Sequence, residues 1–218
     1  MNKRILMILA LCSTLVANEI WVDDIAALYY GQKMMQAATI KGKKITEEEI
    51  AKLSCLRENK IFELEDKMQR EGCEALFVEL KRVYYTKTPF GTKKLSKDKT
   101  KIPLKSFESV ESIKEIYKDD AIKLFNAPFE LSPREVLKKV EVGDRVKLIV
   151  TAFGRPKAGV DILYNKKIVT KSDRFGYASV ELKKLGLQKI TASYSQKGDG
   201  IKCDEIIHTT TLSIEIKP

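Results

Sequence analysis

The sequence predicts a mainly β protein made of two antiparallel β-sandwich domains, with two or so short helices in the N-terminal half. The composition is that of a globular chain, with 218 residues, 44% hydrophobic and 32% charged, 11 Gly and 6 Pro. The C-terminal part alternates apolar and polar residues with a period of two, and turn residues separate its apolar runs at near-regular intervals. The length allows one or two domains with a sizeable core.

The first seventeen residues have the features of a secretory signal peptide. Two basic residues precede the apolar run 5–16, which is too short to span a bilayer. We expect cleavage after Ala17, so that Asn18 begins a mature chain in the periplasm without a membrane span. Lipidation at Cys12 is the alternative, and it is disfavoured because Leu11 before it is not a small residue.

The N-terminal domain is predicted at residues 18–127, as an Ig-like β domain with short helices and a lysine-rich loop. The capping-box pattern at 46–49 predicts a helix that continues to about Ser54. Apolar residues at helical spacing predict a second helix over 109–117. Strands are predicted over 20–22, 27–30, 60–65 and 75–86.

The C-terminal domain is predicted at residues 128–218, as an Ig-like sandwich. In its last strand, 206–216, His208 shares the phase of the buried residues, which predicts a partly buried, hydrogen-bonded histidine rather than a ligand or base. Asp173 and Gly176 are predicted to form a tight turn. The earlier strands of this domain are predicted around 146–152, 160–164, 178–182 and 190–194.

Cysteine usage agrees with export, because three cysteines remain after the signal peptide. A disulfide between Cys55 and Cys73 closes a loop of modest size and would stabilise the fold by roughly 3 kcal/mol. Cys203 is then a buried or reactive thiol. Metal ligation by these cysteines is the alternative, but neither CxxC spacing nor partner histidines are present.

The formal charge is +10, and lysines are densest over residues 87–105. Nucleic-acid surfaces usually interleave arginine and aromatic residues for bidentate contacts and stacking, and this run has almost none. We therefore predict no nucleic-acid partner and a solvated loop. An anionic membrane surface or an acidic partner is the alternative.

Catalytic chemistry is scarce in the sequence, which contains one histidine, His208, and lacks GxSxG, Walker and GxGxxG motifs. The acidic clusters at 23–24 and 47–49 are explained by solvation and helix capping. We therefore predict that the protein is not an enzyme.

Several short motifs together resemble a known family. They are NEIWV at 18–22, YYGQ at 29–32, YYTKTPFGT at 84–92, VGD at 142–144 and TKSDRFGYA at 170–178. In this order they resemble the NikM-like periplasmic family, which is associated with nickel and cobalt uptake. The likeness covers most of the mature chain.

The resemblance implies an accessory protein of nickel or cobalt uptake that binds a metal or docks to a transporter. Where the family tends to carry histidines, this chain has Asn18 and Gln32, whose amides are poor ligands for these metals. The metal candidates are therefore Asn18, through its α-amine, Asp23, Asp24 and His208, with Cys203 as a further thiol. The region predicted to contact a ligand or partner contains Trp21, Tyr30 and Gln32.

The alternative function is a structural or protein-interaction module of the periplasm that holds no metal. Replacement of the two family histidines by amides favours this alternative. Stoichiometric metal binding distinguishes the two functions.

Overall fold

In a computed structural model, the chain is described at residues 21–22, 43–45, 47–64, 72–138 and 140–216. The predicted signal peptide at 1–17 and the predicted strand at 27–30 lie outside these ranges. Among the described residues, no helix has the length and hydropathy that a membrane crossing requires.

The described residues form a mainly β protein, as predicted. Short 3-10 turns occur at Glu47–Glu49 and Lys97–Lys99. The strands, in chain order, are β1 (Trp21–Val22), β2 (Lys43–Lys44), β3 (Ile50–Arg57), β4 (Lys60–Glu63), β5 (Ala75–Leu80), β6 (Val83–Thr88), β7 (Gly91–Lys93), β8 (Lys105–Ile116), β9 (Glu130–Pro133), β10 (Arg145–Ala152), β11 (Arg155–Pro156), β12 (Asp161–Tyr164), β13 (Lys167–Lys171), β14 (Tyr177–Glu181), β15 (Gly186–Lys197) and β16 (Glu205–Ile216).

Within the described ranges these strands form three sheets. β1 and β2 form a two-stranded sheet, and β10 forms a four-stranded sheet with β9, β11 and β14. The ten-stranded sheet has the order β13-β12-β15-β16-β8-β5-β3-β4, with β6 also paired to β8 and β7 paired to β6. Its central pairing, β16 with β8, is parallel, whereas the prediction was for antiparallel pairing throughout.

The four-stranded and ten-stranded sheets share one hydrophobic core, which makes the fold a sandwich. Leu148 and Val150 of β10 belong to the same buried cluster as Ile190 of β15 and Leu212 of β16. Alternate residues of these strands enter the core, as the period of two predicts. The Ig-like topology and the two-domain division near residue 128 stay predictions, and the ten-stranded sheet contains strands from both sides of that position.

The predicted helix over 109–117 is wrong, because these residues belong to strand β8. β8 is buried on both of its faces, so its apolar residues do not alternate. Ile113 packs in one cluster with Val78, and Ile116 packs in the main core on the other face. Lys114 lies between these two residues in the sequence and is also buried. Because a lysine takes one of the buried positions, the apolar residues of β8 are spaced as they would be in a helix.

The predicted helix from 46–49 to Ser54 is also wrong. Only the 3-10 turn follows the capping pattern, and β3 begins at Ile50. β3 pairs with β4 on one side and β5 on the other, and these tertiary hydrogen bonds outweigh the local capping signal. The predicted strand over 75–86 is two strands, interrupted at Lys81 and Arg82.

The predicted disulfide between Cys55 and Cys73 is confirmed, with a Cα–Cα distance of 5.6 Å. It joins β3 to the residue two positions before β5, and Cys55 is fully enclosed at 1% exposure. Cys203 is a buried free thiol.

Candidate functional site

Of the predicted metal and ligand residues, the structure describes the backbone of Trp21, in β1, the whole of His208, in β16, and the buried thiol of Cys203, before β16. The remaining candidates lie outside the described residues: Asn18, Asp23, Asp24, Tyr30 and Gln32. Within the described ranges, no three His, Cys, Asp or Glu side chains lie close enough together to hold a metal ion.

His208 is buried against aromatic rings. Its imidazole stacks on Tyr194 with ring centroids 4.7 Å apart, and Phe129 packs edge-on against Tyr194 at 4.8 Å. Burial, with the positive charges of Arg82 and Lys157, lowers the pKa of His208 to about 4. The imidazole is therefore neutral near pH 7. The predicted burial is confirmed, but among the described residues neither ring nitrogen has a hydrogen-bond partner, contrary to the expected satisfied histidine.

A second buried polar group lies between β8 and β9. Lys114 Nζ donates to Glu130 Oε1 at 2.8 Å, to Ser132 Oγ at 2.8 Å and to the Lys123 carbonyl at 2.7 Å. The Lys114 and Glu130 side chains are both 0% exposed. Burial lowers the pKa of Lys114, and the charge and hydrogen bond of Glu130 oppose that effect. All three ammonium protons are donated in hydrogen bonds, so the cluster stabilises the packing of β8 and β9 and offers no free group for a reaction.

An open pocket of about 310 Å³ lies near the start of β15. Its buried amide, Gln188, already accepts the Tyr164 hydroxyl at 2.6 Å and donates to the carbonyls of Leu185 and Gly186. The pocket lining contains no acidic residue, histidine or cysteine. Three lysines line the pocket, so its ionisable groups are amines, and it offers no carboxylate, imidazole or thiol to a metal ion.

The lysine-rich run lies at one end of the ten-stranded sheet. β6 ends beside the start of β8, where Lys87 pairs with Lys105. β15 ends beside the start of β16, and β16 runs parallel to β8. The loops at these strand ends therefore lie at the same end of the ten-stranded sheet. We call residues 87–105 and 197–204 the basic end. It carries nine lysines against three aspartates.

Buried hydroxyl groups hold the first loop of the basic end in place. Thr86 Oγ1 donates to the Leu95 carbonyl at 2.8 Å, and Thr100 Oγ1 donates to the Ser96 carbonyl at 2.8 Å. Thr86 is fully buried, while the lysines around the loop remain outside. The predicted solvated loop therefore contains β7, a 3-10 turn and a fixed backbone.

Asp204 joins the two segments of the basic end. Its carboxylate accepts Lys97 Nζ at 2.5 Å and both the backbone N–H and the hydroxyl of Ser106, at 2.8 and 3.0 Å. Burial raises the pKa of Asp204, but the hydrogen bonds from Lys97 and Ser106 more than offset that effect and leave the pKa below its usual value. The Lys97 N–H also donates to the Lys202 carbonyl at 2.8 Å.

Large apolar side chains project from the same end. Phe90, at the tip of the β6–β7 hairpin, is 86% exposed, and Ile201, in the loop between β15 and β16, is 69% exposed. Ile102 and Leu104, before β8, are also exposed. Exposed lysines lie beside these residues in the sequence: Lys93, Lys94, Lys99, Lys101 and Lys202. The arrangement joins apolar loop tips to positive charge, which is typical of a docking surface.

The sequence indicated only part of this surface. The lysine density of 87–105 was visible, and Phe90 and Ile102 lie within that run. The second segment, with Ile201 and Lys202, is about a hundred residues away, and the parallel pairing of β8 and β16 and the hydrogen bonds of Asp204 bring it beside the first.

The chain was compared with protein-family models, with curated proteins and with solved structures, and none of them matches it.

Proposed function

We propose that this chain is an exported, non-enzymatic accessory protein that works by docking, and that the basic end is its docking surface. The observation that carries the proposal is the clustering of exposed lysines and exposed apolar loop tips at one end of the ten-stranded sheet. The Cys55–Cys73 disulfide supports export, because stable disulfides belong to oxidising compartments such as the periplasm.

The test is where the native chain resides after gentle cell fractionation. We expect it in the envelope pellet at low salt and in the supernatant at about 1 M salt, where the Debye length is only about 3 Å. A variant with Lys93→Glu, Lys94→Glu, Lys99→Glu and Lys101→Glu should remain in the supernatant at low salt.

The matched control places the same charge reversal at the opposite end of the sheet. Four exposed lysines of that end serve this purpose: Lys166, Lys167, Lys183 and Lys184. Because the net charge change is identical, any difference between the two variants reports position rather than total charge. Recovery of the native chain in the supernatant at low salt would refute the docking proposal.

We further propose, from the resemblance to the NikM-like family, that docking serves nickel or cobalt uptake. Any metal would be held by the α-amine of Asn18 with Asp23 and Asp24, since His208 is buried against aromatic rings and belongs to no cluster of metal-ligating side chains among the described residues. The sequence likeness at 18–22 and 29–32 is the observation that favours this second proposal.

Calorimetric titration of the untagged mature protein with Ni(II), Co(II), Zn(II) and Cu(II) tests the metal proposal. We expect one-to-one binding that disappears when the amino terminus is blocked. Binding no tighter than about 1 mM, or −4 kcal/mol, would leave a docking protein that holds no metal.

A further inference from the structure

The apolar side chains of the basic end belong to separate loops. Phe90 is at a hairpin tip, Ile102 and Leu104 precede β8, and Ile201 lies between β15 and β16. Apolar groups on separate tips fit a protein partner only if that partner has a pocket matched to each tip. A fluid lipid interface accepts all of them without shape matching, because headgroups move aside around each inserted side chain.

The charges of the basic end favour a diffuse anionic surface over a single bound anion. All of its cations are lysines, and it contains no arginine. Arginine is the usual residue for bidentate recognition of a phosphate or carboxylate, whereas lysine acts as a point charge. Exposed lysines spread over two segments are attracted to the summed negative potential of anionic lipids.

The backbone of the basic end is already ordered before any partner arrives. Thr86 and Thr100 fix the first loop, and Asp204 ties it to the second through Lys97 and Ser106. Binding therefore does not require ordering of long loops, which is a large part of the free-energy cost of association.

From these three observations we propose that the partner of the basic end is the surface of an anionic phospholipid bilayer. Phe90, Ile102, Leu104 and Ile201 enter the headgroup region, and the exposed lysines lie against the lipid phosphates. The inference rests on the docking function proposed above, and it names the partner of that surface.

The test is co-sedimentation of the full mature chain with vesicles. Vesicles that contain phosphatidylglycerol should bind the protein, and vesicles of phosphatidylcholine alone should not. Reversal of the four lysines at 93, 94, 99 and 101 should weaken the partition coefficient more than about 100-fold, because each lysine near an anionic surface contributes roughly a factor of five.

A second variant isolates the apolar contribution. Phe90→Ser with Ile201→Ser should weaken binding by about tenfold or more. Leu185→Ser with Leu187→Ser is the matched control, because both leucines are exposed and lie at the opposite end of β15. All four positions are exposed, and unchanged circular dichroism and melting temperature will verify that each variant is folded.

Three results would overturn the inference. If the native chain sediments with cell envelopes but not with phosphatidylglycerol vesicles, the partner is an acidic protein and the docking function stands without the lipid. If the Phe90→Ser, Ile201→Ser variant binds the vesicles as well as the native chain does, the loop tips do not enter the bilayer. If the native chain fails in both assays, the docking function itself fails.

Discussion

Lys114, in β8, is a lysine without solvent exposure. Removing a lysine ammonium and a glutamate carboxylate from water costs several kcal/mol for each ion, and only close pairing with additional hydrogen bonds offsets that cost. Here Nζ has three acceptors, and the Glu130 carboxylate also accepts the Phe125 N–H at 2.9 Å. The phenyl ring of Phe125 lies 5.1 Å from Nζ and completes the enclosure.

We expect Lys114→Met to lower the free energy of unfolding by about 3–5 kcal/mol, because it leaves the Glu130 carboxylate buried without a counter-ion. Urea unfolding measures the loss. The double variant Lys114→Met, Glu130→Gln should recover part of it, since the amide carries no charge and still accepts the Phe125 N–H. Lys147→Met is the control for an exposed pair with Glu135 and should cost less than about 1 kcal/mol. A loss for Lys114→Met as small as the control's would contradict the prediction.

His208 makes stability depend on pH in a defined window. Its pKa is about 4 in the folded state and near 6.5 when unfolded, so the unfolded chain takes up the proton first as the pH falls. His208 therefore leaves the free energy of unfolding unchanged above pH 6.5. Between pH 6.5 and about 4 it lowers that free energy progressively, and the loss reaches roughly 3 kcal/mol at the lower end.

We expect the native chain to lose more stability than His208→Leu between pH 7 and pH 4.5, as measured by urea unfolding at each pH. Comparing the two proteins cancels the contributions of carboxyl groups, such as Asp204, that titrate in both. Parallel pH profiles of the native chain and the variant would show that His208 does not titrate differently on unfolding.

At the scale of single elements, the turn before β14 depends on a glycine. Gly176 has φ +75°, and a Cβ there would lie 2.5 Å from the Val150 carbonyl oxygen. That carbonyl accepts the Lys157 N–H at 3.0 Å, and Asp173 Oδ1 accepts the N–H of Tyr177 at 2.8 Å. The predicted turn of Asp173 and Gly176 is therefore confirmed, and it lies directly against β10.

We expect Gly176→Ala to destabilise the protein more than Gly159→Ala, as measured by thermal unfolding. Gly159 has a similar φ of +72° and no atom within 4 Å of an added Cβ, so its substitution costs only the backbone strain of about 1–2 kcal/mol. Gly176→Ala introduces the same backbone strain and also forces the Val150 carbonyl of β10 to move. Equal losses at the two positions would mean that β10 moves aside without cost.

The sequence predicted some elements better than others for a physical reason. Strands with one buried and one wetter face, such as β10, alternate visibly and were placed correctly. β8 and the middle of β3 are buried on both faces, and β8 carries the polar residue Lys114 at a buried position. A buried lysine carries no sequence signal, because its partners Glu130 and Ser132 come from a different strand.

For the candidate site, the sequence predicted the local charge but not which distant segments the fold brings together. The lysine density at 87–105 indicated a charged surface. The opposing loop with Ile201 depends on the register of β16 against β8, which no local pattern encodes. Most of the predicted metal candidates lie outside the described ranges. The exceptions are Cys203 and His208, and the burial of His208 followed from its phase in the last strand.

At the scale of the whole molecule, the ten-stranded sheet crosses the predicted domain boundary at residue 128. Leu56, Ala75 and Ile116 pack in the same core cluster as residues of β10 and β16. We expect urea to unfold the chain in one transition that coincides for far-ultraviolet and near-ultraviolet circular dichroism. Two separated transitions, or a stable fold for residues 128–218 alone, would contradict this expectation and support independent domains.

The pairing of β8 with β16 also sets the order in which this chain completes its fold. Phe107 lies opposite Glu205, so the contact closes a loop of nearly a hundred residues and involves a strand that is synthesised well after β8. Contacts so distant in sequence form slowly, because loop closure comes before the stabilisation it allows. During synthesis, one edge of β8 therefore stays open until β16 emerges. A chain truncated before β16 would retain that open edge and aggregate by strand pairing.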